Sequence, residues 1–148
     1  MVDLVRYLCG GEAVVVHAFQ DRFFADWTNC YNALVRFSTG SVGIVTGNRS
    51  AGARRLRCEV HGRGLHAEIE IPERADLWVE DAVTPEVLTG PGLVGSNNFL
   101  EYEGTLALHR HFVACLLEGR LPLTSFQECL GTMRLVERIE GVAGNSPA

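Results

Sequence analysis

The fold is decided by one run of residues, Arg55-Leu56-Arg57-Cys58-Glu59-Val60-His61-Gly62-Arg63-Gly64-Leu65-His66-Ala67-Glu68-Ile69-Glu70-Ile71. Arg55, Arg57, Glu59 and His61 alternate with Leu56, Cys58 and Val60. Beyond the glycines, His66, Glu68 and Glu70 alternate with Leu65, Ala67, Ile69 and Ile71. A period of two is the mark of a strand with one polar and one apolar face. Two such strands around a glycine turn predict an antiparallel hairpin. With Gly62-Arg63 as the turn, Arg57 faces Glu68, Arg55 faces Glu70 and Glu59 faces His66. Opposite charges then pair on one face, and a one-residue slip destroys the match.

Towards the N-terminus the pattern repeats. A strand is expected over 31–38 and another over 42–48, with Thr39-Gly40 as a two-residue turn. That register sets Phe37 opposite Val42 and Val35 opposite Ile44. Tyr31, Val35, Phe37 and Ile44 then share one face, with Leu34 and Val45 on the other. Residues 12–20, containing Ala13-Val14-Val15-Val16, form a further strand, and 21–29 is aromatic and irregular. Asp3–Leu8 carries apolar residues at 4, 5 and 8, one face of a short helix that Gly10-Gly11 stops.

Towards the C-terminus, Pro72 ends the hairpin and residues 76–81 suggest one more strand. Residues 82–98 have no periodicity and are expected to be a long loop. Two helices close the chain. The first covers about 103–118, with Leu108, Phe112, Cys115 and Leu116 as its inward stripe. The second starts at Ser125-Phe126-Gln127-Glu128, which fits a capping box, and its expected inward stripe is Phe126, Cys129, Leu130, Met133, Val136 and Ile139. Gly144-Asn145-Ser146-Pro147-Ala148 is expected to fray. The fold class is therefore α+β: an open, mainly antiparallel sheet of five or six strands with helices on one face, all in a single domain, 1–148. Helices on one side leave the other face of the sheet exposed, and a large apolar face needs a partner.

Composition narrows the function. The net charge of −5, from 13 basic and 18 acidic residues, argues against a nucleic-acid partner. All the basic residues are arginine, so chemistry that needs a lysine base or Schiff base has no lysine here. The apolar runs fall far short of a membrane span, and no signal peptide is evident. Cys9, Cys30, Cys58, Cys115 and Cys129 contain no CxxC pair and suit small, mostly buried groups in a reducing compartment, the cytoplasm. Asn48-Arg49-Ser50 matches a glycosylation sequon, a chance match without a secretory signal.

Site motifs are sparse. Gly10-Gly11 follows a helix and precedes a strand, the reverse of a dinucleotide-binding turn, and neither a P-loop nor a GxSxG elbow is present. No bound cofactor is expected. His109 and His111, two apart on a helix, point to different faces and cannot clamp a metal, so no metal site is expected. His66 is expected to partner Glu59. His17, near a strand end, and Asn48-Arg49, at a strand exit, could line a polar ligand site. The competing reading for each is a satisfied structural role.

The order of elements and several local strings resemble the glucose–fructose oxidoreductase and inositol dehydrogenase family (Gfo/Idh/MocA). Asp3–Glu12 is similar to the family's helix-to-strand junction. Phe37-Ser38-Thr39-Gly40-Ser41-Val42-Gly43 looks like its first long hairpin, and Glu59–Gly64 with Ile69-Glu70 like the next. Phe112, Gly119, Pro122 and Ser125 match its closing helices. The resemblance implies the C-terminal domain that follows a Rossmann domain in an NAD- or NADP-dependent sugar or polyol oxidoreductase. The family's catalytic histidine precedes the aspartate matching Asp3 by three residues, ahead of Met1, and its catalytic lysine lies in the Rossmann half. The resemblance therefore implies no catalytic residue within this chain. It places Asp3 and Arg6 beside the start of the catalytic helix, where a purely structural role is the competing reading. It also implies a homodimer through the open sheet face. Two other readings compete: a free-standing, non-catalytic binding or dimerisation module, and a complete small enzyme on a cone-like or cystatin-like sheet, for which no acid–base pair is evident.

Overall fold

The computed structural model describes residues 1–143; the C-terminal tail from Gly144 lies outside the described residues. In chain order the elements are α1 (Val2–Cys9), β1 (Ala13–Asp21), β2 (Cys30–Phe37), β3 (Val42–Asn48), β4 (Arg57–Gly62), β5 (Leu65–Glu70), β6 (Arg74–Val79), β7 (Glu86–Thr89), α2 (Gly90–Val94), α3 (Phe99–Tyr102), α4 (Thr105–Glu118) and α5 (Phe126–Ala143). Every strand pairing is antiparallel, and the class is α+β as expected. The strands form two sheets, of order β1-β2-β3 and β4-β5-β6-β7, where five or six strands in one sheet were expected. The chain divides accordingly into two compact units: Met1–Gly52 together with the chain from Leu123 onward, and Ala53–Pro122.

In the first unit, α1 and α5 cover one face of the three-stranded sheet. Val16, Ala33, Val35, Phe37, Leu135 and Ile139 form the core, with Val2, Val5, Cys9 and Val45 packed against it. Val35 is 0% and Phe37 1% exposed, and burying side chains of this kind contributes about 1.5–3 kcal/mol each. Gly10 and Gly11 end α1 as expected, with φ of 64° and 69°. Gly11 also lets the chain pass close to the next turn, because a Cβ there would lie 2.5 Å from Ser38 Oγ.

The β2–β3 connection differs from expectation by one residue. The Phe37 N–H donates to the Ser41 carbonyl at 2.9 Å, so the loop is Ser38-Thr39-Gly40, three residues rather than two. Gly40, at φ 88°, takes the left-handed position that three-residue hairpin loops require. Ile44 therefore faces Leu34 and Gly43 faces Val35. Since side chains alternate, the slip moves Ile44 to the outer face and Val45 to the core. Both parities of β3 are apolar, so the pattern could not fix this register.

On α5 the face towards the sheet is also rotated from the expected stripe. Leu135 and Ile139 are buried, but Phe126, Leu130 and Met133 are exposed, at 94%, 52% and 59%. Position 131 is glycine where α5 crosses Arg6, and a Cβ there would sit 2.5 Å from Arg6 Nη2. That close approach sets the rotation. Ser125 accepts from the Glu128 N–H at 3.4 Å, the donor half of the expected cap.

In the second unit, β4 and β5 keep the predicted faces but shift by two residues. The turn is Arg63-Gly64, with Gly64 at φ 65°, and Arg57 faces Glu70, Glu59 faces Glu68 and His61 faces His66. Cys58, Val60, Ala67 and Ile69 remain inward. The Arg55–Glu70 ion pair forms at 3.5 Å, but both groups are well exposed and it adds little stability. Glu59 finds His61 on its own strand rather than His66. The expected strand at 76–81 begins earlier, at Arg74, and positive φ at Glu80 and Asp81 ends it. The expected loop 82–98 contains β7, paired with β6, and α2, capped by Thr89. On α4, Cys115 is buried, whereas Leu108, Phe112 and Leu116 are 46–65% exposed.

Candidate functional site

The described features that could receive a small polar ligand lie in the first unit. At one end of its sheet, the β1–β2 loop is held by Asn29, a fully buried polar residue. Its Oδ1 accepts from the Phe23 N–H at 2.8 Å, and its Nδ2 donates to the Phe23 carbonyl and to Ser50 Oγ at 2.5 and 2.6 Å. The Asn29 carbonyl accepts from the Arg49 N–H at 2.8 Å. One side chain thus ties the loop to the exit of β3, and satisfied buried amides of this kind hold loops in one conformation.

The consequence is an exposed aromatic platform. Phe24, at φ 59°, points fully into solvent, and Phe23 and Trp27 are about half exposed. The Arg49 guanidinium lies over the Trp27 ring, 5.6 Å from its centroid, a cation–π arrangement. Asn48 Oδ1 accepts from the Ser50 N–H at 2.8 Å, which orders the same corner. Asn48 and Arg49 were candidates from sequence. Asn29, Trp27 and Phe24 were not, because the irregular segment 21–29 has no period to read. The missed signal was an asparagine flanked by aromatics just before a strand, a residue suited to bonding with nearby backbone.

Asp3 and Arg6 lie elsewhere, on the face of α1 against α5. Arg6 bonds Glu128 Oε2 at 3.3 Å and also reaches the Glu128 carbonyl. Asp3 Oδ1 accepts from Thr132 Oγ1. These contacts dock α1 on α5. A small cleft beside them is lined by Arg6, Glu12, Arg134 and Arg138. Arg138 donates to the carbonyls of Ala13 and Val14, at the irregularity in the β1–β2 register, where a bulge leaves backbone groups without ladder partners. His17 sits on the outer face of the sheet, opposite Leu34. The five candidates thus occupy three places: Asp3 with Arg6, Asn48 with Arg49, and His17 apart from both.

The outer face itself is apolar. Val15, Phe19, Leu34, Val42 and Ile44 are 42–69% exposed on three adjacent strands. A monomer seldom leaves such a surface uncovered.

Residues 1–66 match the family model of the GFO/IDH/MocA C-terminal domain. Over this stretch the chain is similar to that family's domain. The resemblance seen in the α1–β1 junction and the first hairpin is thereby borne out. No curated protein sequence matches the chain. Solved structures share the fold at low identity. Levoglucosan dehydrogenase in complex with NADH and levoglucosan superposes with a TM-score of 0.82 at 20% identity, over 97% of this chain and 45% of its own. A dehydrogenase from Chromobacterium violaceum gives 0.83 at 18% identity, over 97% and 43%. An oxidoreductase from Agrobacterium radiobacter, in complex with NAD+, L-tartaric acid and magnesium, gives 0.79 at 18% identity, over 97% and 44%. The chain spans less than half the length of these structures.

Among the described residues, no helix is long and apolar enough to cross a membrane. Gly10-Gly11 follow the C-terminal end of α1, and a Cβ at Gly11 would lie 2.5 Å from Ser38 Oγ. A pyrophosphate needs open backbone N–H groups at a helix N-terminus.

Proposed function

We infer that this chain is the substrate-side and dimerisation domain of an NAD(P)-dependent sugar or polyol oxidoreductase, and that it is not catalytic by itself. The observation that carries the reading is the uncovered apolar face of β1-β2-β3 in a domain similar to that family's. A two-fold contact in which that face meets its own copy buries it most simply. The fold neighbours bound to NAD+, NADH or levoglucosan support the cofactor and substrate class for the whole enzyme. The nucleotide and the hydride step then belong to a Rossmann domain, and this chain shapes the pocket for the hydroxyl-bearing substrate. Of the five sequence candidates, Asn48 and Arg49 are its substrate-facing residues, whereas Asp3 and Arg6 dock α1 on α5 and His17 lies on the face that the dimer buries. Asn48 and Arg49 have the chemistry best suited to polyols, an amide and a guanidinium beside an aromatic ring. The reading places the protein in the cytoplasm, where its cysteines stay reduced.

The test is reconstitution. The chain joined to the nucleotide-binding half of a family member should reduce NAD(P) with an aldose or polyol, read by nicotinamide absorbance. The isolated chain should neither turn over nor bind either nucleotide in calorimetry. Tight nucleotide binding or turnover by the isolated chain would overturn the reading.

A further inference from the structure

The two-residue shift in β4–β5 creates a histidine pair that the expected register did not contain. His61 and His66 stand directly opposite each other across the strands. Their Nδ1 atoms lie 3.3 Å apart. Their Nε2 atoms point the other way, each to a carboxylate: His61 to Glu59 Oε1 at 3.0 Å and His66 to Glu68 Oε1 at 3.4 Å. A carboxylate only accepts, so each Nε2 is the one that carries hydrogen, and each Nδ1 presents a lone pair. Two lone pairs facing each other across this gap repel. A cation between them removes the repulsion.

The spacing fits a metal ion. Two imidazole nitrogens at Zn–N distances of 2.0–2.1 Å in a tetrahedral shell are about 3.3–3.4 Å apart. Ligating histidines also usually donate their second ring N–H to a carboxylate, which fixes the tautomer and raises the basicity of the ligand. Glu59 and Glu68 are already placed for that role. Glu59 is also near enough to become a third ligand, since one ligand atom from each of Glu59, His61 and His66 lies within 4.8 Å of the others. The Trp78 ring packs 5.1 Å from His66 and limits its rotation.

We propose that His61 and His66 form a surface site for a borderline divalent cation such as Zn2+ or Ni2+, bound through the two Nδ1 atoms with Glu59 and Glu68 orienting the rings. Water completes the coordination shell. The expectation of no metal rested on His109 and His111 on a helix, whereas this pair meets across a sheet.

The probe is nickel chloride, titrated into chelator-treated full-length chain by calorimetry, with Trp fluorescence read in parallel. One ion should bind per chain and quench Trp78. His61→Ala and His66→Ala should each weaken binding at least tenfold, and Glu68→Gln about tenfold or more. His17→Ala should leave it unchanged, and Trp78→Phe should remove the quench but keep the heat. Thermal melts of the histidine variants, expected to match the parent, separate loss of binding from loss of fold. No saturable binding, or affinity unchanged in the His61→Ala/His66→Ala double variant, would overturn the site.

Discussion

Gly43 tests the packing of α1 on the sheet. In the observed register it lies on the inner face opposite Val35, directly beneath α1. A Cβ there would fall 2.3 Å from Val5 Cγ1 and 3.4 Å from both Cys9 Sγ and Phe37 Cε2. Ordinary carbon contacts are about 3.5–4.0 Å, so Val5 must retreat by more than 1 Å or so, while Phe37 blocks relief from below. Overpacking of this kind costs about 1–3 kcal/mol, which for a chain of this size lowers Tm by about 3–10 °C. Gly47, on the same strand and the same face, is the control, because a Cβ there meets nothing within 4 Å. Thermal melts by circular dichroism should show Gly43→Ala well below the parent and Gly47→Ala within the small change expected of an open site. Val5→Ala should recover part of the Gly43→Ala loss, since neighbours that compete for one space are not additive. Equal melts for the two glycine variants, or no rescue by Val5→Ala, would refute the register and the seating of α1 together.

Asn29→Ala should cost about 1–3 kcal/mol, because it strips partners from Phe23 and Ser50; faster hydrogen exchange at the Phe23 amide and altered Trp27 fluorescence are the checks, and unchanged exchange would count against the anchor. The hydrogen bond from Arg74 holds Asp76 below the usual carboxylate range. Its folded pKa is lowered, so its stabilisation is present above about pH 4 and is lost as pH falls through the lower folded value. Asp76→Asn should therefore flatten this part of the acid unfolding curve, and an unchanged curve would assign the acid response to other groups. Burial pushes the Cys58 thiol up from its usual value, so a thiol reagent at neutral pH should modify exposed Cys129 before Cys58, as peptide mapping would show.

The fold was largely legible because strand alternation is a strong signal wherever one face is polar. In β4 and β5 that signal identified the inward set, Cys58, Val60, Ala67 and Ile69, and survived a register shift of two. It failed in β3, where Val42, Ile44 and Val45 give both faces apolar residues and the turn glycine decides the pairing. β7 went unseen because four residues, Glu86–Thr89, are too few to show a period. On α5 an apolar stripe existed in the sequence, but contact with Arg6 at Gly131 turned a different stripe inward. Of the candidate site, Asn48 and Arg49 were legible as polar residues at a strand exit. Asn29 and Trp27 were not, since segment 21–29 has no period to read and Ser50 and Arg49, which they meet, lie beyond the next hairpin. The histidine pair was hidden by the register itself.

Sedimentation equilibrium of the chain at micromolar concentration, beside its Ile44→Asp variant, tests the account most directly. Ile44 is 69% exposed on the open face and packs in no core, so the variant should keep its fold while losing self-association. The account predicts twice the chain mass for the parent and the single-chain mass for Ile44→Asp, with matching circular dichroism spectra. A folded parent with single-chain mass, or a dimer that Ile44→Asp leaves intact, would contradict it.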